Sequence, residues 1–345
     1  MRAARLTAPR TIRCEDIPDP EPGENDVLVR VGAVGLCGSD LHYFCDGHIG
    51  TSVASEPLVL GHEFAGTVES VGPNVRGFLV GDRVAVDPAI PCGRCEVCLE
   101  GHPNICPSVR FAGTPPTDGA LRELLVWPAQ QVVRLPDGMD LDSGAALETL
   151  GVCLHALNLS HLRLADRVAV LGVGPIGLLI VRLARLAGAA EIYVTDPNPK
   201  RLAAALALGA DDAVQVGVGD PVVDVVRLTG GRGVDVSFEA AGALETPQQG
   251  IDMLRPGGTL VLVGICPEDR IPLAASTSRR KGVTIKLSRR MNHVYPRTIA
   301  LVQRSMVDLH QIISHHYPLA QTPEAFEHLA RAETDALKVI IQPQK

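Results

Sequence analysis

Two rhythms of apolar and polar positions divide the chain. From Val27 to about Val133, short β-forming runs alternate with Gly, Pro and Asp: VLVRVGAVG from Val27, AGTVESVG from Ala65, DRVAV from Asp82, LRELLVW from Leu121 and QVVRLP from Gln131. This punctuation predicts an irregular, mainly β domain with long loops. After Leu150 the rhythm changes. VAVLGVG from Val168 leads into a helical run to Ala187, then EIYVTD from Glu191 and an Ala/Leu-rich helix ending at Gly209. Further strands are expected at VDVSFEAA, GTLVLVG and GVTIKLS, which begin at Val234, Gly258 and Gly282. Repeated βα units build a doubly wound parallel sheet, so the fold class is α/β. Past Ser288 the pattern loosens, and the tail is expected to return to the first domain. The expected boundaries are 1–150, 151–288 and 289–345.

Composition narrows the class of partner. The 345 residues exceed one average domain, which agrees with two. Aromatics are 3% of the chain while hydrophobic residues are 46%, so the cores must be built from Val, Leu, Ile and Ala. A net charge of −7 offers no general attraction for nucleic acid or anionic lipid, which leaves a small molecule as the expected partner. The start, MRAARLTAPRTIRCEDIP, lacks the apolar core of a secretory signal, and the apolar stretch Val168–Gly188 is broken by Arg182 and Arg185. A cytoplasmic protein without a membrane span is expected. Nine cysteines in such a chain should be reduced, which favours metal binding over disulfides.

Cysteine spacing supports that reading. Cys92, Cys95 and Cys98, followed by Cys106, place four thiolates in one loop-rich stretch. Tetrahedral zinc is satisfied by four sulfurs and keeps no open position, so this lobe of about 87–110 is a structural site. An iron–sulfur cluster or unrelated buried cysteines are the alternatives. Catalysis must lie elsewhere. Cys37 in GLCGSDLHYF and the His62-Glu63 pair in LGHEFAG bring a thiolate, an imidazole and a carboxylate onto two loops, a set that binds zinc while leaving a position for an alcohol oxygen. Taken alone, a His-Glu pair is more often an ordinary ion pair and a single Cys a small core residue.

In the second half, Gly172, Gly174 and Gly177 form G-x-G-x-x-G between an apolar strand and a helix that opens with Pro175 and Ile176. The glycines permit a tight turn and close approach to a pyrophosphate, whose charge the helix N-terminus favours. Asp196 ends the next strand at the spacing where a carboxylate accepts hydrogen bonds from the adenosine ribose, which favours NAD over NADP. Arg201 nearby is the complication, since an arginine can receive the additional phosphate of NADP.

These segments in this order, together with FAGTPPTDGALRE from Phe111 and the Glu148 segment GAALETLGVC, resemble the zinc-dependent medium-chain dehydrogenase family over essentially the whole chain. FAGTPPTDGALRE points to the polyol (sorbitol-type) branch. The resemblance implies a GroES-like catalytic domain plus a Rossmann domain, one catalytic and one structural zinc, NAD, and a homo-oligomer, either tetramer or dimer. It implies catalytic zinc on Cys37, His62 and Glu63, a proton relay through Ser39 and His42, and Glu148 beside the metal, directly or through water. Val263, Gly264, Ile265, Arg201 and Arg290 are implied cofactor contacts. Tyr43, Glu148, Arg290 and the position of Met291 are implied to line the substrate pocket. Two departures stand out: Met291 occupies a position that is usually tyrosine, and Thr149 one that is usually proline.

The expected reaction is oxidation of a secondary hydroxyl of a polyol or sugar-like alcohol to the ketone. Zinc lowers the pKa of the alcohol, and its carbon then gives hydride to nicotinamide. Other expectations of the same chemistry are a simple secondary alcohol or diol, a phosphorylated polyol, or a sugar acid. The arginine-rich run from Arg279 to Arg290 suits anionic groups, but it also fits a solvated loop. A nucleotide-binding protein that has lost catalysis is the reading from another class, and the intact Cys37, Ser39, His42, His62 and Glu63 argue against it.

Overall fold

The computed structural model describes residues 1–268, 270–331 and 336–345. Two units emerge: Met1–Glu148 with Tyr295–Lys345, and Thr149–Val294. The first boundary falls inside one long helix, Leu141–Ser160. Among the described residues no helix is long and apolar enough to cross a membrane.

The first unit is organised around the strand Asp26–Gly35, whose sequence DVLVRVGAVG is buried along almost its whole length. Burial of both its faces, broken at exposed Arg30 and at half-buried Asp26 and Gly32, follows from its central place in a seven-stranded sheet. It pairs antiparallel with Glu63–Val71, Leu124–Pro128 and the C-terminal strand Lys338–Gln342. The tail therefore returns to the middle of the N-terminal sheet. Val29, Val31, Val34, Phe64, Val84, Val86, Leu125 and Ile341 form the core here, each side chain contributing about 1.5–3 kcal/mol by leaving water. An N-terminal hairpin, Arg2–Ala8 with Thr11–Asp16, lies in a second small sheet that the hydrophobic pattern did not single out.

The second unit is a six-stranded, wholly parallel sheet. Its order is Asp212–Gln215, Glu191–Asp196, Arg167–Leu171, Val234–Glu239, Leu254–Leu262 and Thr284–Leu287. The chain starts in the middle, winds to one edge, and returns to wind to the other. The switch point therefore lies between Arg167–Leu171 and Val234–Glu239, where ligands of such sheets bind beyond the carboxyl ends of the strands. Strands expected at Val234, Gly258 and Gly282 are present, the second starting earlier, at Leu254.

Candidate active site

Cys37, His62 and Glu63 converge although two of them lie 25 or more positions beyond the first. One ligand atom from each lies within 4.8 Å of the others. Cys37 caps the helix Gly38–Asp46, His62 precedes the strand Glu63–Val71, and Glu63 begins it. The link between the two segments is Asp40, which is 1% exposed. Its carboxylate accepts from the Cys37 amide at 3.0 Å and the Gly61 amide at 3.1 Å, and it lies 3.3 Å from His62 Nδ1. A proton held on Nδ1 leaves Nε2 as the donor for a metal. Burial opposes charge on His62, but Asp40 outweighs it and the ring stands well above the ordinary histidine range. Burial likewise opposes charge on Asp40, while His62 and the two amides bring it below its usual value.

Glu63 is held from the opposite end of the chain. Lys338, the first residue of the C-terminal strand, donates to both carboxylate oxygens at 2.7 and 2.6 Å and to the Leu36 carbonyl at 3.1 Å. Both side chains are buried, at 3% and 1% exposed. Space for the carboxylate comes from Gly35, which faces Glu63 across the sheet, because a Cβ there would lie 2.3 Å from Glu63 Oε2. A thiolate, an imidazole oriented by a carboxylate, and a fixed carboxylate form a donor set that suits zinc.

Other expected residues of this unit surround the set. Ser39 Oγ is 3.4 Å from His62 Nε2, the nitrogen facing away from Asp40. His42 Nδ1 lies 3.6 Å from Asp46 Oδ2, with the ring partly exposed. Glu148 sits within the long helix and does not cap it; burial foremost, and then Glu63, push its carboxyl up to about 8 despite His62 and Lys338. It is not in the close donor cluster. Tyr43 is 3% exposed and shares a 2.8 Å hydrogen bond with Ser52 Oγ.

The four lobe cysteines also meet, with all four sulfurs within 4.8 Å. The surrounding segment is short on core, and its Leu99 and Ile105 are largely exposed. A metal, not apolar burial, suits such a lobe. Amides of Arg94 and Cys95 foremost bring the Cys92 thiol down to about 6, while burial and the neighbouring thiols push Cys98 up to about 12, so Cys92 is the more readily ionised of the two.

In the second unit each fingerprint glycine has a distinct structural use. Gly172 has a φ of 84°, and a Cβ there would meet Ala241 at 2.7 Å. At Gly174 a Cβ would meet nothing, leaving open backbone at the start of the helix Pro175–Leu186, whose first residues are Pro175 and Ile176. A Cβ on Gly177 would lie 2.0 Å from the Gly172 carbonyl, so the helix packs on the turn only with glycine. This cradle fits a dinucleotide. Asp196, 3% exposed, accepts from the Val173 amide at 2.9 Å and the Asn198 amide at 2.8 Å, which places its carboxylate on the loop itself. Arg201 stands in the first turn of the helix capped by Asn198. Val263, Gly264 and Ile265 follow the strand Leu254–Leu262 at its carboxyl end. Arg290 takes a φ of 55°, costly for a side chain with a Cβ. Met291 is buried, its sulfur 2.6 Å from where a Cβ on Gly151 would stand.

Asp40, Gly35 and Lys338 escaped the sequence reading. Asp40 had a local signal, an acid three residues after a helix N-cap. Lys338 had a weaker one, a lysine opening the buried run KVIIQ, which demands a partner that the sequence does not name.

Known proteins agree with this geometry. Residues 23–137 match the alcohol dehydrogenase GroES-like domain family, and residues 175–304 the zinc-binding dehydrogenase family. The sorbitol dehydrogenase of Bacillus subtilis (strain 168) is 38% identical over 345 residues, covering 100% of this chain and 98% of its own. Among solved structures, an oxidoreductase/dehydrogenase of unknown specificity from Escherichia coli superposes with a TM-score of 0.94 at 35% identity, covering 99% of this chain and 98% of that one. A zinc-binding dehydrogenase from Sinorhizobium meliloti 1021, bound to NADP, gives 0.90 at 33% identity with 99% of both chains covered. With two metal-type donor clusters in one unit and a dinucleotide cradle in the other, the chain belongs to the zinc-dependent medium-chain dehydrogenase family, in its sorbitol dehydrogenase-like branch.

Proposed function

We propose that the protein oxidises a secondary hydroxyl of a polyol or sugar-like alcohol to the ketone, reversibly, with NAD as hydride acceptor. The observation that carries this reading is the convergence of Cys37, His62 and Glu63, fixed by Asp40 and Lys338, in a chain that also carries the Gly172–Gly177 cradle closed by Asp196. When bound, zinc polarises the alcohol oxygen and nicotinamide accepts the hydride. Asp40 keeps the His62 donor nitrogen directed away from itself, and Lys338 holds Glu63 in place. Ser39, beside His62 Nε2, accepts the alcohol proton as it releases its own hydroxyl proton, and His42, partly open to solvent, takes up the proton released and passes it to water. Glu148 contributes a further carboxyl to the metal, directly or through water.

Asp196 supports NAD, because a carboxylate fixed on the loop repels the 2′-phosphate of NADP. For the substrate, Tyr43 with Ser52 offers a hydroxyl pair, and Arg290 and Met291 are proposed as further contacts on the family resemblance alone. The protein is further proposed to be cytoplasmic and a homo-oligomer. The terminal strand Thr284–Leu287, with Leu287 at 70% exposed, supports association through that sheet edge.

The test is absorbance of reduced nicotinamide with NAD or NADP and a panel of pentitols, hexitols, inositols, simple diols and sugar phosphates. Activity with NAD on one stereochemical series of polyols, lost in Glu63→Ala, is expected. Activity confined to simple diols or to phosphorylated substrates would overturn the substrate class. Sedimentation velocity checks the oligomer.

A further inference from the structure

The strand order fixes how a dinucleotide lies on the second unit. Asp196 ends the strand on one side of the glycine turn, and Val234–Glu239 and Leu254–Leu262 lie on the other. A molecule whose adenosine ribose meets Asp196 and whose pyrophosphate crosses Gly174 must lay its second nucleoside over the carboxyl ends of those two strands. Two segments follow there, 240–246 and 263–265.

Glu239, the last residue of Val234–Glu239, ties both segments together. Its side chain is 2% exposed, and Oε1 accepts from the Ala241 amide at 2.9 Å, the Gly242 amide at 2.7 Å and Thr246 Oγ1 at 2.8 Å. Its main-chain carbonyl accepts from Val263 at 2.8 Å and Gly264 at 3.0 Å. The segments touch over this anchor. A Cβ on Gly264 would lie 2.4 Å from the Gly242 nitrogen and 2.7 Å from Glu239 Oε2, and one on Gly242, at a φ of 70°, would lie 2.6 Å from the Ile265 carbonyl. Displacing one segment therefore displaces the other. On the outside, Ile265 at 42% and Leu244 at 36% leave apolar surface to solvent, the kind that covers the face of a flat ring. A buried carboxylate that gathers three donors on one oxygen is an expensive way to end a strand if shape alone were needed.

We infer that Glu239 is a positioning residue for the nicotinamide nucleoside: its carboxylate fixes 240–246, its main-chain carbonyl holds 263–265 beside it, and together they build the surface on which the second half of the cofactor rests. The inference rests on reading this sheet as the dinucleotide site, and ADP-ribose separates the two, since it contains the adenosine and pyrophosphate but no nicotinamide.

The experiment is calorimetric titration of the zinc-loaded full chain with NADH and, separately, ADP-ribose. In Glu239→Ala the NADH Kd rises about tenfold or more while the ADP-ribose Kd stays within about twofold. Glu239→Gln, whose amide oxygen keeps two lone pairs for these donors, raises the NADH Kd by a smaller factor than Glu239→Ala and leaves the ADP-ribose Kd within about twofold. Thr246→Ala, which keeps the carboxylate and removes one donor, shifts NADH alone by a smaller factor and tests the same point if Glu239→Ala does not fold. Equal losses of both ligands in the Ala variants, or an unchanged NADH Kd in either, overturn the inference. A wild-type chain that binds neither ligand overturns the dinucleotide reading and this inference with it, and one that binds NADH but not ADP-ribose overturns the placement of adenosine and pyrophosphate on which the inference rests.

Discussion

Replacing Lys338 by methionine keeps the apolar stem of the side chain and deletes its charge. The ammonium it removes donates to both oxygens of Glu63 and to the Leu36 carbonyl, and the pair is at most 3% exposed. Removing one member of a buried pair costs about 3–5 kcal/mol, because the remaining charge has neither partner nor water. Proton uptake by Glu63 relieves part of this, so the lower figure is expected for the metal-free chain. With a urea dependence of about 2 kcal/mol per molar, a loss of about 3 kcal/mol moves the midpoint down by about 1.5 M. The chain has a single tryptophan, Trp127, buried in the same sheet and in edge contact with Phe64, the neighbour of Glu63. Its fluorescence therefore follows the first unit. The double variant Lys338→Met with Glu63→Gln should recover about 1–3 kcal/mol relative to the sum of the single changes. A midpoint shift below about 0.5 M, equivalent to about 1 kcal/mol, or single effects that simply add, would refute the coupled buried pair.

Three further outcomes follow from the same geometry. Asp40→Asn weakens catalytic zinc about 10–100-fold, measured by competition with a chromophoric chelator, while metal analysis still finds the lobe zinc. For Glu148, the ordinary value of 4.5 is raised to about 8, so the folded metal-free chain keeps a proton that the unfolded chain releases. Stability then falls as pH rises across that window, and urea midpoints of Glu148→Gln lose that slope. Asp196→Ser removes a charge from the cofactor loop and lowers the ratio of kcat/KM for NAD over NADP by about tenfold or more, with some loss of stability because the Val173 and Asn198 amides lose their acceptor.

Periodicity alone laid out much of this protein. The alternation of apolar strands and helical runs after Leu150 determined a doubly wound sheet, because such segments bury their faces in few ways. The glycine spacing from Gly172 to Gly177 carried its own explanation, since each position has a local steric demand. Cysteine spacing likewise marked the lobe, because ligands close in sequence need only turns to meet. What tertiary structure decided are contacts between residues far apart in the chain. Asp40 reaches His62 because a helix cap and a strand start lie side by side. Glu63 finds Lys338 because the tail enters the sheet beside Asp26–Gly35, and Gly35 leaves room for the meeting. Glu239 joins two loops because their strands are neighbours in a parallel sheet. Local pattern reports which faces must be buried. Which buried charge meets which depends on strand order and register, and these are settled only when the whole chain is folded.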